Sequence, residues 1–141
     1  MAALSAARNT PQQGEGARPD YLDLGVSADT TCYQGGIAVL NGGFLEPATT
    51  ATGLIPVGRF DETVVNSGAD GAVTAKVACG VFHFANSTAA DAIADADRGA
   101  TCYIVDDQTV AKTDGTASRS AAGIVANVDS DGVWVLIGLG V

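Results

Sequence analysis

The sequence predicts a mainly β protein: a small β-barrel or sandwich with one short helix and an extended N-terminal arm. Three observations carry this. Residues 100–141 are short β-type runs punctuated by Asp-Asp, Asp-Gly and Asp-Ser-Asp-Gly turns. Glycine is abundant, at 18 of 141 residues, which favours many turns over long helices. Residues 1–20 contain almost nothing with which to build a core, whereas 21–141 hold enough aliphatic sequence for one β-rich domain.

The elements follow in order. PQQGEGARP, residues 11–19, combines proline, glycine and polar residues and reads as a tether. Fully stretched, the first nineteen residues span on the order of 60 Å. YLDLGV (21–26) alternates apolar and polar positions. CYQGGIAVL (32–40) follows, with Asn41, Gly42 and Gly43 as a hairpin turn before FLEPA (44–48). LIPVGRF (54–60) is a short strand in which Pro56 demands an edge or bulged position. Residues 61–71 read as an acidic loop.

AVTAKVACGVFHF, residues 72–84, is the clearest strand. Val73, Ala75, Val77, Cys79 and Val81 share one parity, but from Phe82 the bulk moves to the other. A glycine at the switch, Gly80, predicts a bulge or bend. NSTAADAIADADRGA (86–100) is the one helical segment, with Ser87 or Thr88 as cap and Gly99 just past its end. The remaining strands are placed at 101–105, 108–112, 119–128 and 132–139. In the last strand both faces are apolar, so it is either central or shared with a neighbouring subunit.

The charge is uneven. Residues 1–19 carry a net +1 and the remainder a net −10, within a total of −9. Such a body repels phosphate backbones, which argues against nucleic-acid binding. No run reaches transmembrane length, and Arg8 and Asn9 interrupt the only apolar stretch near the start, so neither a membrane span nor a secretory signal is expected. Cys32, Cys79 and Cys102 sit in apolar strand-like runs, the pattern of buried thiols made in a reducing cytoplasm; spacing leaves open whether two of them pair. With aliphatic content dominated by Ala and Val and only 6% aromatics, the core is expected to be thin and to gain from oligomerising or binding a surface.

No catalytic or metal constellation is expected. His83 is the single histidine, and Cys79, four strand residues away, lies about 13 Å off, too far to share a metal. Asn127, Asp129, Asp131 and Gly132 resemble half of a calcium loop, but the twelfth position is Gly138 where a glutamate is required. An acidic hairpin turn accounts better for them. Asp106 and Asp107 are neighbours that face apart in a strand and read as a turn. Ser118 and Ser120 lack a nucleophile elbow, and no glycine pair has a phosphate-loop setting. No cofactor is implied. A carbohydrate-binding domain is disfavoured by the few aromatics, with Trp134 expected to be packed.

AARNTP near the start, GVFHFANS in the centre and the block TCYIVDDQTVAKTDGT with AGIVANVDSDGVWVLIG resemble the capsid decoration, or head cement, proteins of tailed bacteriophages. The resemblance spans nearly the whole chain. It implies a small, non-enzymatic β-rich protein, commonly trimeric, bound outside the icosahedral head at or near three-fold and quasi-three-fold positions. There it would join neighbouring major capsid subunits and brace the head against its packaged DNA. The arm, with Leu4, Arg8, Pro11 and Arg18, would lie on the capsid. Val133, Val135 and Ile137, or Trp134 and Leu136 on the opposite face, would serve the core or the trimer seam. The product would be made in the host cytoplasm and reside on the virion surface. A tail-tube or head–tail joining component is the alternative within virion structural proteins.

Overall fold

The computed structural model describes residues 5–9 and 20–141. Twelve strands and two short 3-10 turns make up the described chain, confirming a mainly β fold with a closed barrel. Strands β1 (Tyr21–Gly25), β3 (Ile37–Asn41), β4 (Phe44–Pro47), β5 (Ile55–Phe60) and β7 (Thr74–Ala78) form a five-stranded sheet in the order β1-β7-β5-β3-β4. Its pairings are antiparallel. At one corner Val26 bridges Leu45, so the first and last strands touch and the sheet curls toward closure. Strands β2 (Thr30–Cys32) and β6 (Val64–Asn66) form a separate ribbon. Strands β8 (Gly80–Asn86), β9 (Thr101–Ile104), β10 (Thr109–Ala111), β11 (Ala121–Asp129) and β12 (Gly132–Ile137) close into a barrel ordered β10-β8-β12-β11-β9. The β8–β10 pair is parallel and the rest antiparallel.

There are two cores, and β3 is the wall between them. Ile37 and Val39 are fully buried against the barrel interior, with Phe84, Ile93, Ile104, Val110, Val133, Val135 and Ile137. Ala38, one residue out of phase, belongs to the other core with Leu22, Leu45, Val57, Phe60 and Val77. Alternation along a strand sends successive side chains to opposite faces; here both faces are interior, which is why IAV is apolar without a break.

The switch at Gly80 is where the chain leaves one unit for the other. Ala75 and Val77 face inward on β7, whereas Phe84 and the partly buried Phe82 do so on β8, so the expected single strand 72–84 is two strands in two sheets. Pro56 occupies a bulge: the β3–β5 register slips between Ala38↔Gly58 and Val39↔Pro56. Its missing N–H therefore costs little in ladder bonds.

Three expectations are corrected. Residues 86–100 do not form one helix; they make two 3-10 turns, Ala89–Asp91 and Asp95–Asp97. Backbone and side chain compete here. The Asn86 amide clasps Ile93 through both its backbone groups, at 2.9 Å each, and Asp97 accepts the Ala94 N–H at 2.8 Å. Ile93 plugs the barrel instead of continuing a helical face. Ser87 does not cap: its hydroxyl donates to the Val110 carbonyl, and Thr88 makes no capping bond. The acidic loop 61–71 contains β6. Asn66, buried at its end, donates through Nδ2 to the carbonyls of Val26, Ser27 and Ala69 and accepts from the Gly68 N–H, fastening this segment to the end of β1. Finally, the run 32–40 is interrupted after Cys32 by a turn through Gly35 and Gly36.

Candidate functional site

The outer wall of the barrel carries the most distinctive surface. The β8–β12 register sets Trp134 opposite His83 and Leu136 opposite Val81, and β11 continues the rows with Asn127 and Ile124. Val81 and Trp134 are 46% and 39% exposed, a large apolar area for outward-facing barrel positions. Trp134 is thus not packed inside, contrary to expectation. Val133, Val135 and Ile137 fill the barrel core, which leaves Trp134 and Leu136 for the outer face.

This face is held rigidly. The rings of Trp134 and His83 lie 5.0 Å apart at 59°. Asp129, at the β11–β12 turn, pins both: the indole N–H donates to its Oδ2 at 3.0 Å, and His83 Nε2 lies 3.2 Å from Oδ1. The same Oδ1 accepts the backbone N–H groups of Asp131 and Gly132 at 2.8 and 2.9 Å. The Asp131 N–H above all, then His83, Trp134 and Gly132, lowers the carboxyl pKa to about 2. Gly132 is needed for this geometry: a Cβ there would stand 2.3 Å from the Phe84 carbonyl oxygen and 2.7 Å from His83 Cε1. The segment 127–132 is accordingly an acidic hairpin turn.

The groups this face presents are the Trp134 indole and the His83 imidazole, both held by the Asp129 carboxylate. The acceptor that would orient His83 is present, but no hydroxyl or thiol among the described residues hydrogen-bonds to its ring. The described residues contain no group of three or more metal-ligating side chains. Cys32, Cys79 and Cys102 are free, and burial raises the Cys32 and Cys102 thiols to about 11, with Glu46 adding to the effect at Cys32. Such thiols are poor nucleophiles at neutral pH. Asp106 closes its own turn by accepting the Gln108 N–H at 2.9 Å. No helix of the described residues is long and apolar enough to cross a membrane.

A second feature is a pocket of about 340 Å³ lined by Tyr33, Gln34, Gly35, Gly36, Asp107 and Gln108. It forms where the turn before β3 meets the β9–β10 turn, joined by the Ile37 N–H donating to the Asp107 carbonyl at 2.7 Å. Tyr33 is 62% exposed. Sequence reasoning missed both this pocket and the His83–Asp129–Trp134 cluster; the residues converge only through strand pairing and inter-unit packing, and only the exposed character of Asp-rich turns hinted at them. Of the arm residues, Arg8 is exposed, while Leu4, Pro11 and Arg18 lie outside the described residues. Compared with known proteins, the chain matches no family model, no curated protein and no solved structure.

Proposed function

We propose that this protein is a non-enzymatic virion component that binds the outside of an assembled phage capsid as a homotrimer. It sits at three-fold and quasi-three-fold positions, bridging major capsid subunits and stabilising the head against internal DNA pressure. The reading rests on the sequence resemblance to capsid decoration proteins. The observation that supports it is the exposed, pinned strip of Val81, His83, Trp134 and Leu136 on a closed barrel. Rigid aromatic anchors with an apolar surround are what a subunit seam requires, since little side-chain entropy remains to be lost on association.

In this mechanism Trp134 and Leu136 lie in the trimer seam, and the arm, with Leu4, Arg8, Pro11 and Arg18, extends from the trimer over the shell. A ligand that binds only the assembled shell stabilises it by mass action. Three linked copies convert modest contacts into tight attachment through effective concentration. The acidic body excludes nucleic acid.

The test is co-sedimentation of the purified protein with matching mature heads stripped of it, with immature heads in parallel. Saturable binding to mature heads, approaching one copy per capsid subunit for a trimer on every three-fold site, is expected. Deleting residues 1–19 should weaken attachment while leaving the domain folded. Binding to neither shell, together with six-fold rings or tubes, would instead establish a tail-tube or head–tail joining component.

A further inference from the structure

The described body has used up its positive charge. Arg59 pairs with Asp61 at 2.8 Å, Arg98 with Asp95 at 3.3 Å, Lys112 with Asp97 at 3.6 Å and Arg119 with Asp91 at 3.3 Å. Lys76 lies over the Tyr21 ring, 4.2 Å from its centroid. These are all five Lys and Arg residues of the segment 20–141, set against fifteen carboxylates. Asp107 is half-buried in the Tyr33 pocket, and no cation among the described residues pairs with it. Gln34 and Gln108 beside it donate through their backbone N–H groups to Thr63 Oγ1 and Asp106 Oδ1, and their side-chain amides have no hydrogen-bond partner among the described residues. One carboxylate, one exposed aromatic face and two amides match the needs of a guanidinium: a charge partner, a stacking surface and acceptors for its remaining N–H groups.

We propose that this pocket seats an arginine from the N-terminal arm of a second copy of this chain. The arm supplies Arg8 and Arg18, the only basic side chains outside the body, and carries a net +1 against the body's −10. Arg8 is exposed and has no partner among the described residues. Asp20 lies twelve residues beyond Arg8, a contour length of up to about 40 Å against a width of roughly 35 Å for a body this size, which is enough chain to reach a neighbouring copy. Exchange of arms around a closed ring places one arginine in each pocket and leaves none unfilled. The inference needs self-association only, so it stands or falls separately from the capsid reading.

The experiment is an NMR titration of ¹⁵N-labelled full-length protein carrying Arg8→Ala and Arg18→Ala, with a synthetic peptide of residues 1–19. Saturable shifts are expected at the backbone amides of Gly35, Gly36 and Gln108. Affinity should fall about fivefold on adding Asp107→Asn, and should weaken between about 50 mM and about 300 mM salt. Asp107→Asn leaves the Ile37–Asp107 backbone bond in place, so the fold is retained. Equal binding by a peptide with both arginines replaced by alanine, or shifts confined to other residues, would overturn the assignment. Exchange between copies is read by adding unlabelled wild-type chain to the labelled variant. The same amides should move, and their failure to move while the peptide still binds would refute exchange.

Discussion

Asp129 gathers two backbone N–H groups, an indole and an imidazole on its two oxygens, and its titration should be visible through one of them. With the folded-state pKa at about 2, below the ordinary 3.8, the ionised form favours the folded hairpin. That contribution is complete above about pH 4 and is lost as the pH falls toward 2. Trp134 is the single tryptophan, so its fluorescence should report an apparent pKa of about 2, and Asp129→Asn should erase the transition. A wild-type curve flat down to pH 1.5 or so would show that the indole does not sense this carboxylate. Asn66 illustrates the opposite case, a polar side chain whose value lies in burial. Asn66→Ala leaves the Ser27 carbonyl without a donor and the Gly68 N–H without an acceptor, while the Val26 and Ala69 carbonyls lose one of their two donors and keep the Gly71 and Ala72 N–H groups. The expected loss is about 3 kcal/mol, measurable by urea unfolding. Asn66→Asp should cost a comparable amount, because a carboxylate cannot donate to those carbonyls.

At the scale of strands and turns, much of the architecture was legible because the relevant forces are local. The Asn41-Gly42-Gly43 hairpin, the Asp129–Gly132 hairpin and the bulge at Pro56 each follow from residues adjacent in sequence. The parity switch at Gly80 was visible too, although only the structure shows that it separates two sheets. What failed was decided at long range. An alanine-rich segment with acids near its start favours a helix in isolation. Here it yields to Ile93 filling the barrel and to the Asp91 carboxylate bonding Thr113 and Arg119, which lowers its pKa, the Thr113 hydroxyl contributing most. The His83–Trp134 face was illegible for the same reason, since nothing local pairs residue 83 with residue 134. Close approach gives a further test at this scale. A Cβ on Gly123 would meet the Leu136 carbonyl oxygen at 2.2 Å and Val135 Cγ1 at 3.0 Å across the bulged β11–β12 pair. Gly123→Ala should therefore destabilise by about 1–3 kcal/mol, seen as a lower Tm. Gly42→Ala, which meets nothing within 4 Å, has only its positive φ of 60° to contend with and should cost less.

For the molecule as a whole, the two interiors are small and rich in valine and alanine, but they are not independent. Removing Val39, fully buried on the barrel side of β3, should cost about 2–4 kcal/mol as Val39→Ala. Calorimetry should still show one transition, with van't Hoff and calorimetric enthalpies equal. Two resolved transitions would mean that the wall between the cores does not couple them. The exposed strip on the barrel should matter little for this unfolding and greatly for association. If the proposed trimer seam runs through this strip, Trp134→Ala is expected to weaken self-association by about 2 kcal/mol per seam, by analytical ultracentrifugation, with little change in monomer fold.

The common wall at β3 also decides whether this chain is severable. Cutting near Cys79 would separate the two sheets neatly on a topology diagram. The first piece, however, would carry Ile37, Val39 and Ala48 into water, and the second would keep its barrel hydrogen bonds while losing the side chains that close its interior. Neither fragment inherits a finished interior, so the two units are not modules that gene fusion or proteolysis could trade apart. A protease that nicks the exposed 67–71 turn would leave the halves clasped; one that separates them would leave two sticky remnants rather than two smaller proteins.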